Sequence, residues 1–290
     1  MKLREIYKSG KTVISFEIFP PDNAEAVEKL FTEAGVLKNL NPAFISLTHS
    51  ASGKNKENAR KIFLELKNDF NFQIMPHFTC ICSTKENIDE SLDFFKTNGT
   101  ENILALRGDI PEDKSIICKN FCNAAELVEY LNTKTDFSIA VAGYPEGHIE
   151  SPSIKADIEN LKKKIDSGAD VIFTQMFFEN EKFFEFLDRI EKAGIQKPVA
   201  AGIMPVISLN QLNKMTRLAK VTIPEKFKEK IISRQDDKNY IRELGIEFAS
   251  KQCLELLEHN ADGLHFFTLN RSYSAKRILE NIYGGSYGKS

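Results

Sequence analysis

The sequence lacks the features that mark membrane, secreted and nucleic-acid-binding proteins. No apolar run in its 290 residues approaches the roughly 18 residues that a membrane-spanning helix requires. The first stretch, MKLREIYKSGKTVI, mixes charges throughout and has no apolar core of the kind found in secretory signals. Lysines are interspersed with acidic residues and the formal net charge is only -2, which argues against nucleic acid as the main ligand. We therefore expect a cytoplasmic protein that acts on small molecules, with neither a membrane nor a nucleic acid as its partner.

Cysteine and histidine are scarce, and their spacing fits neither a disulfide framework nor a metal centre. The five cysteines are an odd number without a Cys-x-x-Cys pair, so we expect reduced structural thiols, with a zinc site as the weaker alternative. The histidines near predicted strand ends show no tight spacing such as His-x-His; they are His49, His77, His148 and His265. We predict that the protein uses no metal, and a metal-dependent lyase or hydrolase built on these histidines is the alternative.

Glycine-rich phosphate loops are also absent. No Gly-x-Gly-x-x-Gly follows a predicted strand and no Gly-x-x-x-x-Gly-Lys occurs, so a nucleotide cofactor would be held by individual side chains. Asp157, Asn160 and Lys163 follow one another at three-residue spacing on one helix face, and Lys164 is adjacent. Such a face can present an acceptor for ribose hydroxyls and cations for a pyrophosphate. Taken alone, the run LKKKID favours a solvated basic patch.

The sequence is rich in short β-forming runs that alternate with longer amphipathic stretches. The runs that predict strands are 13–19, 43–48, 73–80, 102–108, 137–144, 170–178, 198–206 and 263–269. The helical patterns cover 24–40, 56–70, 84–97, 121–133, 153–167, 180–193, 208–219 and 272–282. Eight such units predict one α/β domain over residues 1–290, folded as a closed (βα)8 TIM barrel, with an open doubly wound sheet as the alternative. Residues 220–260 break the rhythm and predict extra helices inserted before the eighth strand.

Polar residues stand at the predicted strand ends, where TIM barrels carry their catalytic groups. Glu17 is the most unusual of them because it interrupts the apolar run ISFEIFPP. If Phe16 and Ile18 face the helices, period-two alternation points Glu17 into the barrel mouth. A carboxyl group without a partner among apolar side chains would have a raised pKa, as a proton donor near neutral pH requires. The alternative is an ion pair between Glu17 and Arg107 or another barrel cation.

Nine segments resemble, in order and in strand position, the bacterial methylenetetrahydrofolate reductase family. They are SFEIFPP, SLTHSA, PHFTC, ALRGD, AGYPEGH, ADIENLKKKIDSGAD, TQMFF, GIMP and FFTLNR, and they span about residues 12–272. The resemblance implies a barrel that binds FAD, accepts electrons from NADH or NADPH and reduces 5,10-methylenetetrahydrofolate by ping-pong hydride transfer. The product would be 5-methyltetrahydrofolate, the one-carbon donor for methionine synthesis. The resemblance also implies a homo-oligomer.

The same resemblance implies roles for individual residues. Glu17 matches the general acid that opens the folate's five-membered ring, and Asp109 matches an aspartate beside both pterin and flavin. Gln175 matches a pterin-binding glutamine and Arg271 a residue near the folate's glutamate side. Positions that match FAD contacts are Thr48, His77, Arg107, Gly108, Asp109, Ala124, Tyr144, His148, Asp157, Asn160, Lys163 and Lys164.

Two positions depart from the family pattern. Lys163 stands where well-known bacterial members have arginine, which replaces a bidentate phosphate contact with a point charge. Leu209 stands where a phenylalanine packs against nicotinamide and folate, so it is a substrate-binding position with a changed side chain. Two other functions are compatible with the barrel: a flavin-dependent oxidoreductase of the proline dehydrogenase type, and a family member reduced through a companion electron-transfer protein. The segments SFEIFPP and PHFTC disfavour the first of these.

Overall fold

The computed structural model describes residues 1–48, 56–111, 113–118 and 120–284. Within these ranges, eight parallel strands close into one barrel in chain order. They are β1 (Val13–Ile18), β2 (Phe44–Leu47), β3 (Ile74–Thr79), β4 (Asn102–Leu106), β5 (Ser138–Gly143), β6 (Val171–Met176), β7 (Val199–Ile203) and β8 (Gly263–Phe267). The last strand pairs with the first, and Ser15 lies opposite His265. The predicted TIM barrel is confirmed and the open doubly wound sheet is excluded, while the assignment of the whole chain to one domain stays a prediction.

The first helix precedes the first strand, and the other helices follow the strands around the outside of the barrel. They are α1 (Leu3–Ile6), α2 (Ala24–Lys38), α3 (Lys56–Asn68), α4 (Lys85–Thr97), α5 (Ala124–Lys134), α6 (Ile154–Asp166), α7 (Asn180–Lys192), α8 (Leu209–Ala219), α9 (Glu225–Ser233), α10 (Lys238–Glu258) and α11 (Ser272–Ile282). Side-chain oxygens cap several N-termini; those of Thr84 and Ser208 accept N–H groups from the first turns of α4 and α8. Helices α9 and α10 are the insertion that the sequence predicts before β8.

The barrel interior changes from apolar to polar along its axis. The apolar part consists of Val13, Phe44, Met75, Leu104, Ala140, Val171, Phe173 and Ala200, and Leu3 of α1 packs beneath it. The inward-facing residues above it include Ser15, Ser46, His77 and His265, all buried. Phe16 and Ile18 lie in the separate core between strands and helices, so the intervening Glu17 faces inward as predicted. The polar chemistry is therefore concentrated at the C-terminal end of the barrel.

A third core lies above β6 and β7. Met176, Phe178, Met204 and Val206 pack there against residues of α8, α9 and α10. This core explains why the predicted strands 170–178 and 198–206 are longer than β6 and β7. Their last apolar residues lie beyond the strands and bury themselves against the inserted helices.

Gly245 allows α10 to approach this region closely. A Cβ built on Gly245 would lie 2.0 Å from the backbone oxygen of Val206, so Gly245→Ala is expected to lower the free energy of unfolding by about 2 kcal/mol through overpacking. Gly35 in α2 is the matched control, because its Cβ would meet only Phe70 at 3.8 Å. Gly35→Ala is expected to be neutral or stabilising by up to about 1 kcal/mol. Urea unfolding of both variants checks the difference, and equal stabilities would contradict it.

Candidate functional site

Glu17 lies at the barrel mouth between two histidines. Its Oε2 is 3.6 Å from Nε2 of His77 on β3 and 3.9 Å from Nε2 of His265 on β8. The side chain of Glu17 is 23% exposed, whereas those of His77 and His265 are 8% and 2% exposed. The carboxyl group is therefore the outermost member of this cluster and the one that a molecule entering the mouth can reach.

The imidazole of His265 is held in a fixed orientation. Ser15 Oγ lies 2.8 Å from its Nδ1 and Ser46 Oγ lies 3.4 Å from its Nε2. The rings of Phe173 and Phe267 pack nearly perpendicular to it, with centroids 4.9 Å and 5.5 Å away. Because the ring is held on both edges, His265 can keep Nε2 directed towards Glu17. Alternation along β1 places Ser15 on the same face as Glu17. The sequence pattern therefore already marks Ser15, the hydrogen-bond partner of His265, as a residue of the barrel interior.

The predicted rise in the pKa of Glu17 is wrong. Burial alone would raise the pKa, but the hydrogen bond with the His265 ring and the electrostatic interactions with His77 and His265 together outweigh burial and lower it. The apolar neighbours in ISFEIFPP indicate only the desolvation, because both histidines belong to strands that are far from β1 in the sequence. The residues that lie against Glu17 are these histidines and not the predicted alternative Arg107, whose Nη1 pairs with Glu150 at 2.5 Å.

A cavity of about 290 Å³ lies beside the mouth, among the ends of β4 and β5 and the helices α5 and α6. Eight of the predicted cofactor residues line it: Arg107, Ala124, Tyr144, His148, Asp157, Asn160, Lys163 and Lys164. The structure thus brings together residues that are up to 57 positions apart in the sequence, from Arg107 to Lys164. Glu150 also lines the cavity and was missed, because nothing in the segment GHIE distinguishes it from a surface carboxylate.

Lys164 is the most strongly perturbed group in this cavity. Its Nζ donates a hydrogen bond to the carbonyl oxygen of Ala142 at 2.6 Å and lies 5.8 Å from the centre of the Tyr144 ring. Desolvation lowers the pKa of Lys164 to about 8, and the negative charge of Asp157 opposes that change only in part. A poorly solvated ammonium group of this kind is stabilised by an anionic ligand.

Asp157 and His148 supply an acceptor and a donor on the same wall. Asp157 is buried, accepts a hydrogen bond from Ser151 Oγ at 3.1 Å and has a raised pKa because of its burial. His148 Nδ1 accepts the N–H of Glu150 at 3.1 Å. Burial, reinforced by the charge of Arg107, lowers the pKa of His148, so the neutral ring carries its proton on Nε2. The cavity wall thus offers cationic groups for a phosphate, and a hydrogen-bond acceptor and a hydrogen-bond donor for a nucleoside.

The other predicted site residues lie near the mouth rather than in this cavity. They are Thr48 after β2, His77 in β3, Gly108 and Asp109 after β4, Gln175 in β6, Leu209 at the start of α8 and Arg271 before α11. Asp109 and Arg271 are exposed, and Leu209 packs on the third core. Gly108 has φ +89°, and a Cβ there would lie 3.1 Å from Ile81 and Thr79, so this turn strongly favours glycine. His49, predicted as a rim histidine, lies outside the described residues.

All five cysteines are free thiols, and Cys80 and Cys253 are buried. The described part of the chain contains no group of three or more His, Cys, Asp or Glu suited to a metal ion. Among the described residues, no helix combines the length and apolar character needed to cross a membrane.

Comparison with known proteins gives consistent results for sequence and fold. A family model described as methylenetetrahydrofolate reductase matches residues 2–283. Methylenetetrahydrofolate reductase (NADH) 1 of Arabidopsis thaliana is 34% identical over 295 residues, which cover 97% of this chain and 50% of the plant protein. The 5,10-methylenetetrahydrofolate reductase of Escherichia coli (strain K12) is 34% identical over 273 residues, which cover 94% of this chain and 91% of the bacterial protein.

Two of the similarities are partial: one covers only part of the relative, and the other extends to the fold but not to the sequence. The chain spans about half the length of the plant relatives that it matches. An uncharacterized protein from Clostridium thermocellum that binds two copies of 5-methyl-5,6,7,8-tetrahydrofolic acid has a TM-score of 0.70 at 14% identity. That similarity covers 98% of this chain and 99% of the other, and it supports the fold alone.

Proposed function

We propose that this chain, which belongs to the methylenetetrahydrofolate reductase family, reduces 5,10-methylenetetrahydrofolate to 5-methyltetrahydrofolate. FAD would be the cofactor and NADH or NADPH the electron donor. The observation that carries the proposal is the position of Glu17, a carboxyl group on the inner face of the barrel mouth with two histidines against it. A homo-oligomeric state and a cytoplasmic location stay predictions.

The cavity beside the mouth fits the phosphate and ribose groups of FAD. Lys164 and Lys163 would bind the pyrophosphate, Asp157 would accept hydrogen bonds from a ribose hydroxyl, and Tyr144 and His148 would pack along the cofactor. Thr48, His77, Gly108 and Asp109 lie towards the mouth, where the isoalloxazine would be held. Bound FAD would carry the hydride between nicotinamide and folate.

Glu17 would supply the proton that the reaction requires. The methylene carbon of the substrate is bonded to two nitrogens, and it accepts a hydride only after protonation has opened the five-membered ring. Substrate that covers the mouth would exclude water from the Glu17 carboxylate and raise its pKa, so that Glu17 takes up a proton and can donate it to the folate. His77 and His265 lie against this carboxyl group and would keep it in place while the proton is transferred.

The direct test is anaerobic stopped-flow spectroscopy of the purified holoprotein. NADH and NADPH are mixed separately with the oxidised enzyme, and the reduced enzyme is then mixed with methylenetetrahydrofolate. We expect bleaching of the flavin absorption by at least one nicotinamide and its recovery with the folate. Flavin that is reduced only by dithionite yet reoxidised by the folate would indicate a protein electron donor. Failure of the folate to reoxidise the flavin would contradict the proposed activity.

Lys163 offers a test of the cofactor site. Lys163→Ala is expected to weaken FAD binding about fivefold, and Lys163→Arg to strengthen it because a guanidinium can bind a phosphate through two N–H groups. Lys162→Ala is the matched control, since Lys162 belongs to the same run but pairs with Asp166 and does not line the cavity. Fluorescence titration of the apoprotein with FAD measures all three. If Lys162→Ala and Lys163→Ala lose FAD affinity equally, the segment LKKKID is a solvated basic patch and not a specific phosphate site.

A further inference from the structure

Strand β6 contains a β-bulge next to a predicted substrate residue. Phe173 pairs with Ala200 and Met176 pairs with Gly202, so two residues of β6, Thr174 and Gln175, lie opposite one residue of β7. The extra residue reverses the inside-outside alternation of the strand. Val171 and Phe173 face the barrel interior before the bulge, whereas Met176 and Phe178 lie in the third core after it and Phe177 faces the helices.

Side chains of the bulge bind two backbone N–H groups. The N–H of Gly202 donates to Thr174 Oγ1 at 2.9 Å, and the N–H of Met176 donates to Gln175 Oε1 at 3.0 Å. Buried N–H groups without an acceptor are costly, so these two bonds stabilise the bulge in one arrangement. Because this bond holds Oε1 of Gln175 against the backbone, the amide NH2 group can donate to a ligand, although Oε1 keeps a second lone pair.

Gly202 permits this close contact between the two strands. A Cβ at position 202 would lie 2.4 Å from the backbone oxygen of Thr174 and 2.8 Å from the ring of Phe267. Any larger residue would push β7 away from the bulge and lengthen the bond to Thr174 Oγ1. Thr174 is itself only 2% exposed, so it fixes the backbone without reaching the barrel mouth.

We propose that Thr174 is a positioning residue, which acts through Gly202 to aim the Gln175 amide at the substrate. In this arrangement Gln175 donates a hydrogen bond to an acceptor atom, a carbonyl oxygen or ring nitrogen, on the heterocycle of the folate. The inference rests on the proposed function, because it takes methylenetetrahydrofolate as the substrate. It adds a cause for the orientation of Gln175 that neither residue spacing nor similarity provides.

The test compares Thr174→Val with Thr174→Ser. Valine keeps the branched shape but cannot accept the Gly202 N–H, so we expect the KM for methylenetetrahydrofolate to rise about tenfold. Reduction of the flavin by nicotinamide and retention of FAD should stay within about twofold of wild type. Serine keeps the hydroxyl group and should restore the KM to within about threefold. Faster amide hydrogen exchange at Gly202 in Thr174→Val provides a measurement that is independent of turnover.

A double-mutant cycle that combines Thr174→Val with Gln175→Ala is the second test. If Thr174 acts through Gln175, adding Thr174→Val to Gln175→Ala should change the KM less than twofold, about the limit of measurement. Additive effects would overturn the inference, as would a wild-type KM in Thr174→Val or equal losses in both half-reactions. A wild-type enzyme that does not reduce methylenetetrahydrofolate would refute the proposed function instead, so the two failures are distinguishable.

Discussion

Replacement of Glu17 by glutamine is expected to slow reduction of methylenetetrahydrofolate by about 10²–10⁴-fold while nicotinamide still reduces the flavin within about threefold of the wild-type rate. Glutamine matches the size of glutamate and remains a polar neighbour of His77 and His265, but it has no acidic proton to donate. A positioned general acid contributes about 10²–10⁴-fold to a rate. We expect a loss of that size in the folate half-reaction alone.

Separate measurement of the two half-reactions by anaerobic stopped-flow checks this expectation. Glu185→Gln is the matched control, because Glu185 is an exposed carboxylate that pairs with Arg189 on α7, away from the barrel mouth. The control should leave both half-reactions unchanged. Equal losses in the two half-reactions of Glu17→Gln would show that the carboxyl group supports the flavin or the fold, and would remove it from proton transfer.

The orientation of Glu17 could be predicted from the sequence, but its charge state could not. Period-two alternation along β1 is a local property, and it correctly places Phe16 and Ile18 against the helices and Glu17 inside. The pKa depends on His77 and His265, which reach Glu17 only when the barrel closes and β8 pairs with β1. A local pattern predicts which side chains of one strand are buried. It does not predict the electrostatic interactions between strands, which depend on the tertiary structure.

The bulge in β6 is a backbone feature that local sequence patterns likewise do not predict. TQMFF reads as the end of one regular strand, and nothing in it marks the extra residue that reverses the alternation. The pairing of β6 with β7 depends on Gly202, which lies 28 residues after Thr174. By contrast, the eight-unit rhythm repeats along the chain and each unit adds to the same prediction, so the TIM barrel could be predicted with most helices and strands in place.

Affinity for FAD is expected to fall about tenfold between pH 7 and pH 9 because Lys164 loses its charge in the free protein. Burial lowers the pKa of Lys164 to about 8, so about nine tenths of the free protein carries the ammonium at pH 7 and about one tenth at pH 9. A pyrophosphate bound against Lys164 favours the charged form, and binding above pH 8 must therefore take up a proton. Below pH 7 this group is fully charged and the affinity should be flat.

Few other groups in the cavity titrate in this window. Burial raises the pKa of Tyr144 to about 12, and the pKa of His148 is lowered by burial, so neither changes charge between pH 7 and pH 9. The bond to Glu150 raises the pKa of Arg107, which stays charged throughout. Asp157 has a pKa raised by burial and lies close to Lys164, so a variant must separate the contributions of these two groups.

Lys164→Arg makes that separation, because a guanidinium remains charged over the whole range. Titration of the apoprotein with FAD at pH 7, 8 and 9 should give a flat profile for Lys164→Arg and a tenfold slope for wild type. If the FAD affinity of Lys164→Arg still falls with pH, Asp157 is the group that titrates. A flat wild-type profile would mean that the ammonium group does not contact the pyrophosphate. Its poor solvation would then be a property of α6 packing, and the anion-binding role would pass to Lys163 at the exposed edge of the cavity.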